Sequence, residues 1–208
     1  MKNIIVFGAT STIGRHLLEQ ALSAGHSVTA FTRDRDRITT EHPQLTIAEG
    51  DVLNPESVSE AIQGHQIVMV SLGAGRKGVV RAEGTRNIIE AMQTHGIDRL
   101  ICQSTLGAGE SVGNLNWFWK RFMFGWFLKT AFEDHQLQEK YVLESGLDWT
   151  IVRPGAFTDG ELTGQYKHGF SPKDRSIKLK ISRADVAQFM LKQIGSVAYL
   201  RKAPGLSY

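Results

Sequence analysis

The chain has 208 residues, 41% of them hydrophobic, and its 24 Lys plus Arg nearly balance 21 Asp plus Glu to leave a net charge of +3. A single domain of this size buries a core without staples, and the composition excludes collagen, coiled coil and bulk disorder. The lone Cys102 excludes an internal disulfide, no cysteine–histidine cluster has zinc spacing, no basic stripe marks a nucleic-acid binder, and no apolar run reaches the roughly 18 residues of a membrane helix.

The opening MKNIIVFGAT has too short an apolar stretch for a signal peptide, so a soluble, cytoplasmic protein, monomer or weak homodimer, is expected. Residues 4–7 are a short apolar run rich in β-branched side chains, the pattern of a strand buried on both faces. From Thr12 the apolar positions Ile13, Leu17, Leu18, Ala21 and Leu22 take helical spacing until Ala24 and Gly25 stop it. Strands are predicted at 28–31 and 45–48. A helix follows behind Asn54 as cap and Pro55 at its first position. Then come a strand at 67–70, a helix at 80–94, a strand at 100–102, a helix at about 130–144 and a strand at 149–152. Past Pro154 the pattern loosens into glycine-rich loops, a short strand at 177–179 and a last helix at 183–194. The tail 199–208 reads as an ordered, strand-like finish. Repeated strand–helix units with short turns predict a doubly wound, parallel α/β sheet of Rossmann type with helices on both faces. One domain spans 1–208, with 154–182 a flap on the substrate side and 183–208 the last helix and tail.

Chemistry gathers where the first strand meets the first helix. Gly8, Ala9, Thr10, Ser11, Thr12, Ile13 and Gly14 form a glycine turn that opens a helix, and free N–H groups and the helix dipole there suit a pyrophosphate. Gly8 permits the tight turn and Gly14 close helix packing, while Ser11 replaces the usual middle glycine and offers a hydroxyl to phosphate. About 20 positions past this turn, NAD-binding chains carry an acid for the ribose 2′-hydroxyl. Arg33 stands there instead, a guanidinium suited to the 2′-phosphate of NADP, with Arg35 and Arg37 able to join it. An exposed loop of alternating charge with Asp34 and Asp36 is the alternative. Asp51 and Gly73, at the ends of later strands, lie where ligands bind in open α/β sheets, although ordinary loop chemistry would also place them there.

Together GATSTIG, Arg33, the GDV of 50–52 and the SLGAG of 71–75 resemble the atypical, NmrA-like short-chain dehydrogenases/reductases that bind NAD(P)H. Within that group the chain is similar to flavin reductase (biliverdin-IXβ reductase) and its bacterial relatives. Residues 83–88, 134–147, 162–164 and 181–191 carry the likeness across nearly the whole chain. The resemblance implies NADP(H) as cofactor and hydride transfer to a planar, conjugated acceptor such as a flavin, a quinone or a bilin. It assigns Thr10, Ser11, Thr12 and Ile13 to the phosphate turn, Arg33 to the 2′-phosphate, Asp51 and Val52 to the adenine, and Leu72 and Gly73 to the ribose side. Cys102 and Ser104 match the strand end near the nicotinamide, His135 a histidine beside the active site, and Pro154 a proline backing the nicotinamide ring. Ala156 departs from a histidine often found two residues after that proline, which weakens the inference to biliverdin.

Alcohol dehydrogenases of this superfamily use a tyrosine four positions before a lysine as proton donor. Four before Lys140 stands Gln136, and Tyr141 points about 100° away around the helix. A flavin or quinone asks mainly for proximity and orientation. Ser104 is the leading candidate to position the reacting rings, followed by Lys140 and His135; a solvated lysine and a surface histidine are the plainer readings. The missing tyrosine fits equally an inactive NADP(H)-binding redox sensor. Residues 117–128 hold three of the four tryptophans, open to reading as core packing, a wall for an aromatic acceptor, or a dimer or membrane-surface contact.

Overall fold

A computed structural model of the chain describes residues 1–73, 78, 80–115 and 129–208. The predicted alternation holds. In chain order the elements are β1 (Asn3–Phe7), α1 (Thr12–Ser23), β2 (Ser27–Thr32), β3 (Leu45–Glu49), α2 (Pro55–Ile62), β4 (Ile67–Val70), α3 (Val80–His95), β5 (Arg99–Gln103), α4 (Lys129–Glu144), β6 (Asp148–Pro154), β7 (Ala156–Thr158), β8 (Lys167–His168), β9 (Lys180–Ser182), α5 (Arg183–Lys192) and β10 (Gly205–Ser207). Sheet order is β3-β2-β1-β4-β5-β6-β10-β8, parallel from β3 to β10 with β8 antiparallel at the edge, and β7 pairs with β9 apart from it. Strand order reverses between β1 and β4, so the crevice of a doubly wound sheet opens at their carboxyl ends.

Alternation along the central strands feeds two cores. Ile4 and Val6 face the layer of α1 and α5 with Leu17, Leu18, Phe189 and Met190; Ile5 and Phe7 face the layer of α2, α3 and α4 with Val58, Ile88, Met92 and Val142. Each such buried aliphatic contributes about 1.5–3 kcal/mol, so the two layers together hold the strand ends in register.

Local caps fix the ends. Asn54 accepts from the N–H groups of Glu56 (3.0 Å) and Ser57 (3.4 Å), with Pro55 at the first helical position. Gly25, at φ +77°, ends the chain's first helix as expected. The predicted strand at 177–179 is a correction: pairing begins at Lys180 because Leu179 takes φ +57°, which no extended chain can continue, and Ile177 turns into a small cluster with Leu106 and Leu115. The tail is strand-like, since β10 adds to β6 through Gly205↔Arg153 and Leu206↔Pro154. Among the described residues no helix is long and apolar enough to cross a membrane.

Candidate functional site

Gly8 takes φ +85°, and a Cβ on it would run into the Ser71 carbonyl, so only glycine lets the β1 turn approach the end of β4. Ser11 caps α1: its N–H donates to Gly8 O (2.9 Å) and its Oγ accepts from Gly14 N (2.9 Å). The N–H groups of Thr12 and Ile13 have no acceptor among the described residues. Two orphan donors at the positive end of a 12-residue helix fit a pyrophosphate.

The Ser11 hydroxyl is not free for that phosphate. Ser71 Oγ donates its one proton to Gln103 Oε1 (3.2 Å), so in the 3.3 Å contact between Ser11 Oγ and Ser71 Oγ the donor is Ser11. Gln103 Nε2 donates onward to Ser104 O (2.6 Å). A polar chain thus crosses the carboxyl ends of β1, β4 and β5.

Beside the turn lies a cleft of about 410 Å³ lined by Gly8, Thr10, Ser11, Thr12, Arg33, Arg37, Val52, Leu72 and Gly73, all expected, and by Phe31, Thr32, Gly50 and Val80, which were not. Phe31 packs against Phe7 with ring centroids 4.8 Å apart and planes tilted by 48°, and a Cβ on Gly50 would lie 2.8 Å from the Phe31 ring. Gly84 plays a similar part beneath the opposite wall: a Cβ there would sit 2.8 Å from both Val52 methyls and 3.1 Å from Leu72. Asn87 Nδ2 holds Val52 O (3.0 Å).

Arg33 and Arg37 are exposed and have no ion-pair partner among the described residues. Asp34 forms no ion pair with them; its carboxylate caps the turn Arg35–Arg37 by accepting from Asp36 N (3.1 Å). Arg35 does not line the cleft. Other expected contacts lie outside its lining. Asp51 is exposed, and its Oδ1 accepts from Leu53 N (2.9 Å) within its own turn. Ile13 and Gly14 are buried behind the phosphate turn, and Pro154 is buried in β6, its carbonyl accepting from Leu106 N (2.8 Å).

At the carboxyl end of β5, Ser104 prolongs the strand against β6 through a bond from its N–H to Val152 O (2.8 Å). Its side chain is buried, and Oγ has no partner among the described residues. His135 is buried on α4, not on the surface, with Nδ1 likewise unpartnered. Burial, and after it the Arg81 charge, holds its imidazole well below its usual pKa, hence neutral at pH 7. Lys140 is exposed: α4 turns Asp134, His135, Gln138, Glu139 and Val142 inward, and Gln136 and Lys140 point to solvent. Sequence reasoning missed a buried ion pair next door. Arg81 donates to Leu72 O (3.1 Å) and to Asp134 Oδ2 (3.1 Å), and Asp134 Oδ1 accepts from Ala82 N (2.9 Å), which locks the entry to α3. Cys102 is buried and its thiol is pushed up by desolvation, so it is inert. The aromatic stretch 117–128 and residues 74–75 lie outside the described residues.

A glycine turn, orphan helix donors and a cleft at the switch point define a dinucleotide-binding α/β domain. The chain belongs to the NAD(P)H-binding family, whose model matches residues 8–196. It is similar to a chloroplastic protein of Arabidopsis thaliana, 29% identical over 207 residues (93% of this chain, 72% of the relative). It is also similar to the photosystem II assembly factor Ycf39 of Synechocystis, 28% identical over 78% of this chain but 47% of that protein. Among solved structures it matches a short-chain dehydrogenase/reductase of Veillonella parvula in complex with NADP (TM-score 0.85, 20% identity, 100% of this chain and 94% of that one). Another match is the anaerobilin reductase ChuY of Escherichia coli O157:H7 (TM-score 0.81, 25% identity, 99% and 96% covered).

Proposed function

We propose that the protein is an NADPH-dependent reductase that passes hydride to a planar, conjugated acceptor of the flavin, quinone or bilin class. The observation that carries this reading is the fate of the tyrosines. All four side chains are bonded elsewhere: Tyr141 to Glu83 (3.3 Å), Tyr166 to Gln188 (3.0 Å), Tyr199 to His168 (2.7 Å) and Tyr208 to Asp185 (2.7 Å). None lines the cofactor cleft. Burial further raises Tyr166, to about 12. Reduction of a ketone needs a proton delivered to an alkoxide, and His135, held neutral, has no acidic proton to give. A conjugated ring spreads the incoming charge and takes its proton from water, so orientation suffices.

In this reading the Thr12 and Ile13 N–H groups hold the pyrophosphate, Arg33 with Arg37 holds the 2′-phosphate, and the Ser104 hydroxyl positions the nicotinamide or the acceptor. The NADP complex of the Veillonella relative and the bilin chemistry in ChuY's name support it.

The absence of a tyrosine acid also favours a second reading, an NADP(H)-binding redox sensor without catalysis, and the assembly role in Ycf39's name is in keeping with it. Anaerobic oxidation of NADPH followed at 340 nm with FMN, then with quinones, tests both. Turnover well above that with NADH establishes the reductase. NADPH binding without oxidation by any of these acceptors rejects it in favour of the sensor.

A further inference from the structure

Arg183 begins α5 directly after β9, and its guanidinium bridges the flap and the phosphate turn. Nε donates to Thr12 Oγ1 at 3.1 Å, Nη1 reaches Asp159 Oδ1 at 2.5 Å, and the group lies over the Phe157 ring, 5.5 Å from its centroid. Nη2 has no partner among the described residues. Thr12 is the first residue of α1, lines the cofactor cleft and carries one of the two orphan N–H groups. A cation therefore stands at the end of the helix where the pyrophosphate belongs, supplied from the far end of the chain.

Its present counter-ion is weakly held. The Asp159 side chain is 92% exposed, and an ion pair so open to water contributes little. A diphosphate brings two charges and several acceptor oxygens, and a guanidinium with Nη1 and Nη2 facing it binds in a bidentate, charge-assisted way. The backbone behind Arg183 is fixed meanwhile. Gln20 Nε2 ties α1 to Ala184 O (3.0 Å), and Asp185 collects the N–H groups of Thr163 (2.9 Å) and Gly164 (2.8 Å) and the hydroxyls of Thr163 and Tyr208 (both 2.7 Å). Ser182 Oγ adds Glu161 O (3.2 Å). Only the Arg183 and Asp159 side chains need to shift.

We propose that Arg183 grips the pyrophosphate of the bound cofactor, exchanging its Asp159 contact for phosphate oxygens. The flap is thereby joined to the cofactor through one side chain. This rests on the NAD(P)H cleft described above and adds a residue that acts on the part of the cofactor shared by NADPH and NADH.

Isothermal titration of the full chain with NADPH, NADH and adenosine 2′-monophosphate, which has no pyrophosphate, tests it. Arg183→Gln is expected to weaken NADPH and NADH alike by about tenfold or more and to leave adenosine 2′-monophosphate unchanged. Asp159→Asn is expected to tighten both dinucleotides by about two- to fivefold, as a competing anion is removed. Dinucleotide affinities within twofold of wild type in Arg183→Gln overturn the proposal. So does a loss confined to NADPH, which moves the contact to the 2′-phosphate, or an equal loss of adenosine 2′-monophosphate. Should Arg183→Gln fail to fold, Asp159→Asn decides alone: unchanged or weaker dinucleotide binding overturns the exchange. Wild-type protein that binds neither dinucleotide would overturn the cofactor cleft itself.

Discussion

Two sets of arginines divide the molecule. On the β1–β3 side, Arg33 and Arg37 stand exposed beside the cleft with no partner among the described residues. On the α3–α4 and β6 side, Arg81 is buried against Asp134, and Arg153 is buried between Glu139 (2.9 and 2.7 Å) and Glu110 (2.7 Å). The first set keeps its charge open beside the cleft, and the second uses it to hold elements together. Removing a member of the second set strands a charge in a poorly solvated place, while removing a member of the first disturbs only what binds.

Asp134→Ala therefore has the largest expected effect. It leaves the Arg81 guanidinium buried without its carboxylate and takes the acceptor from Ala82 N at the start of α3, and it should cost about 3–5 kcal/mol in urea unfolding. Arg33→Ala is the matched opposite. Its unfolding free energy should stay within about 0.5 kcal/mol of wild type. Its NADPH affinity should fall by about 1.5–3 kcal/mol with NADH binding unchanged, as read by titration with both cofactors. If Arg33→Ala were as destabilising as Asp134→Ala, the division between the two sets would be wrong.

The glycine turn and the position of Arg33 could be read in the sequence because their chemistry is local. Gly8, Ser11 and Gly14 lie within one turn, and Arg33 follows at the end of the next strand, so spacing alone declares them. The rest of the cleft is assembled by sheet register. Phe31 and Gly50 meet because β2 pairs with β3 (Thr32↔Glu49). Outside that lining, Arg183 meets Thr12 across 171 positions. Asp51 was expected at the adenine; its Oδ1 accepts from Leu53 N within its own turn, a local bond that spacing does not reveal. On α4 the inward face consists largely of polar residues, Asp134, His135, Gln138 and Glu139, so hydrophobic periodicity could not show that Lys140 points away.

Gly84 sharpens the comparison from the packing side. A methyl group there meets Val52 and Leu72, two apolar walls of the cleft, without touching a charge. Gly84→Ala should cost about 1–3 kcal/mol in stability by overpacking. Because the shifted walls serve the whole dinucleotide, it should weaken NADPH and NADH by equal factors, in contrast to Arg33→Ala. Titration of both cofactors separates the two patterns.

His135 belongs to neither set, being buried like Arg81 and unpartnered at Nδ1 like the ligand-facing groups. Burial disfavours its charged form first, and the nearby Arg81 adds to that. Its folded pKa thus lies well below the usual 6.5, so the unfolded chain takes up a proton in a range where the folded chain does not. The neutral site contributes its full stability above pH 6.5, and that contribution is lost as pH falls toward the folded pKa. For one such group the loss runs at about 1.4 kcal/mol per pH unit at its steepest. Urea unfolding at pH 7 and pH 5 should show this decline in wild type and a shallower one in His135→Gln, with the lowered His65 and His26 keeping some slope in both. An unchanged slope in His135→Gln would mean that water or solvent access compensates its charge in the folded chain. His135 would then join the exposed set, and the reaction side of the molecule would have an acid within reach.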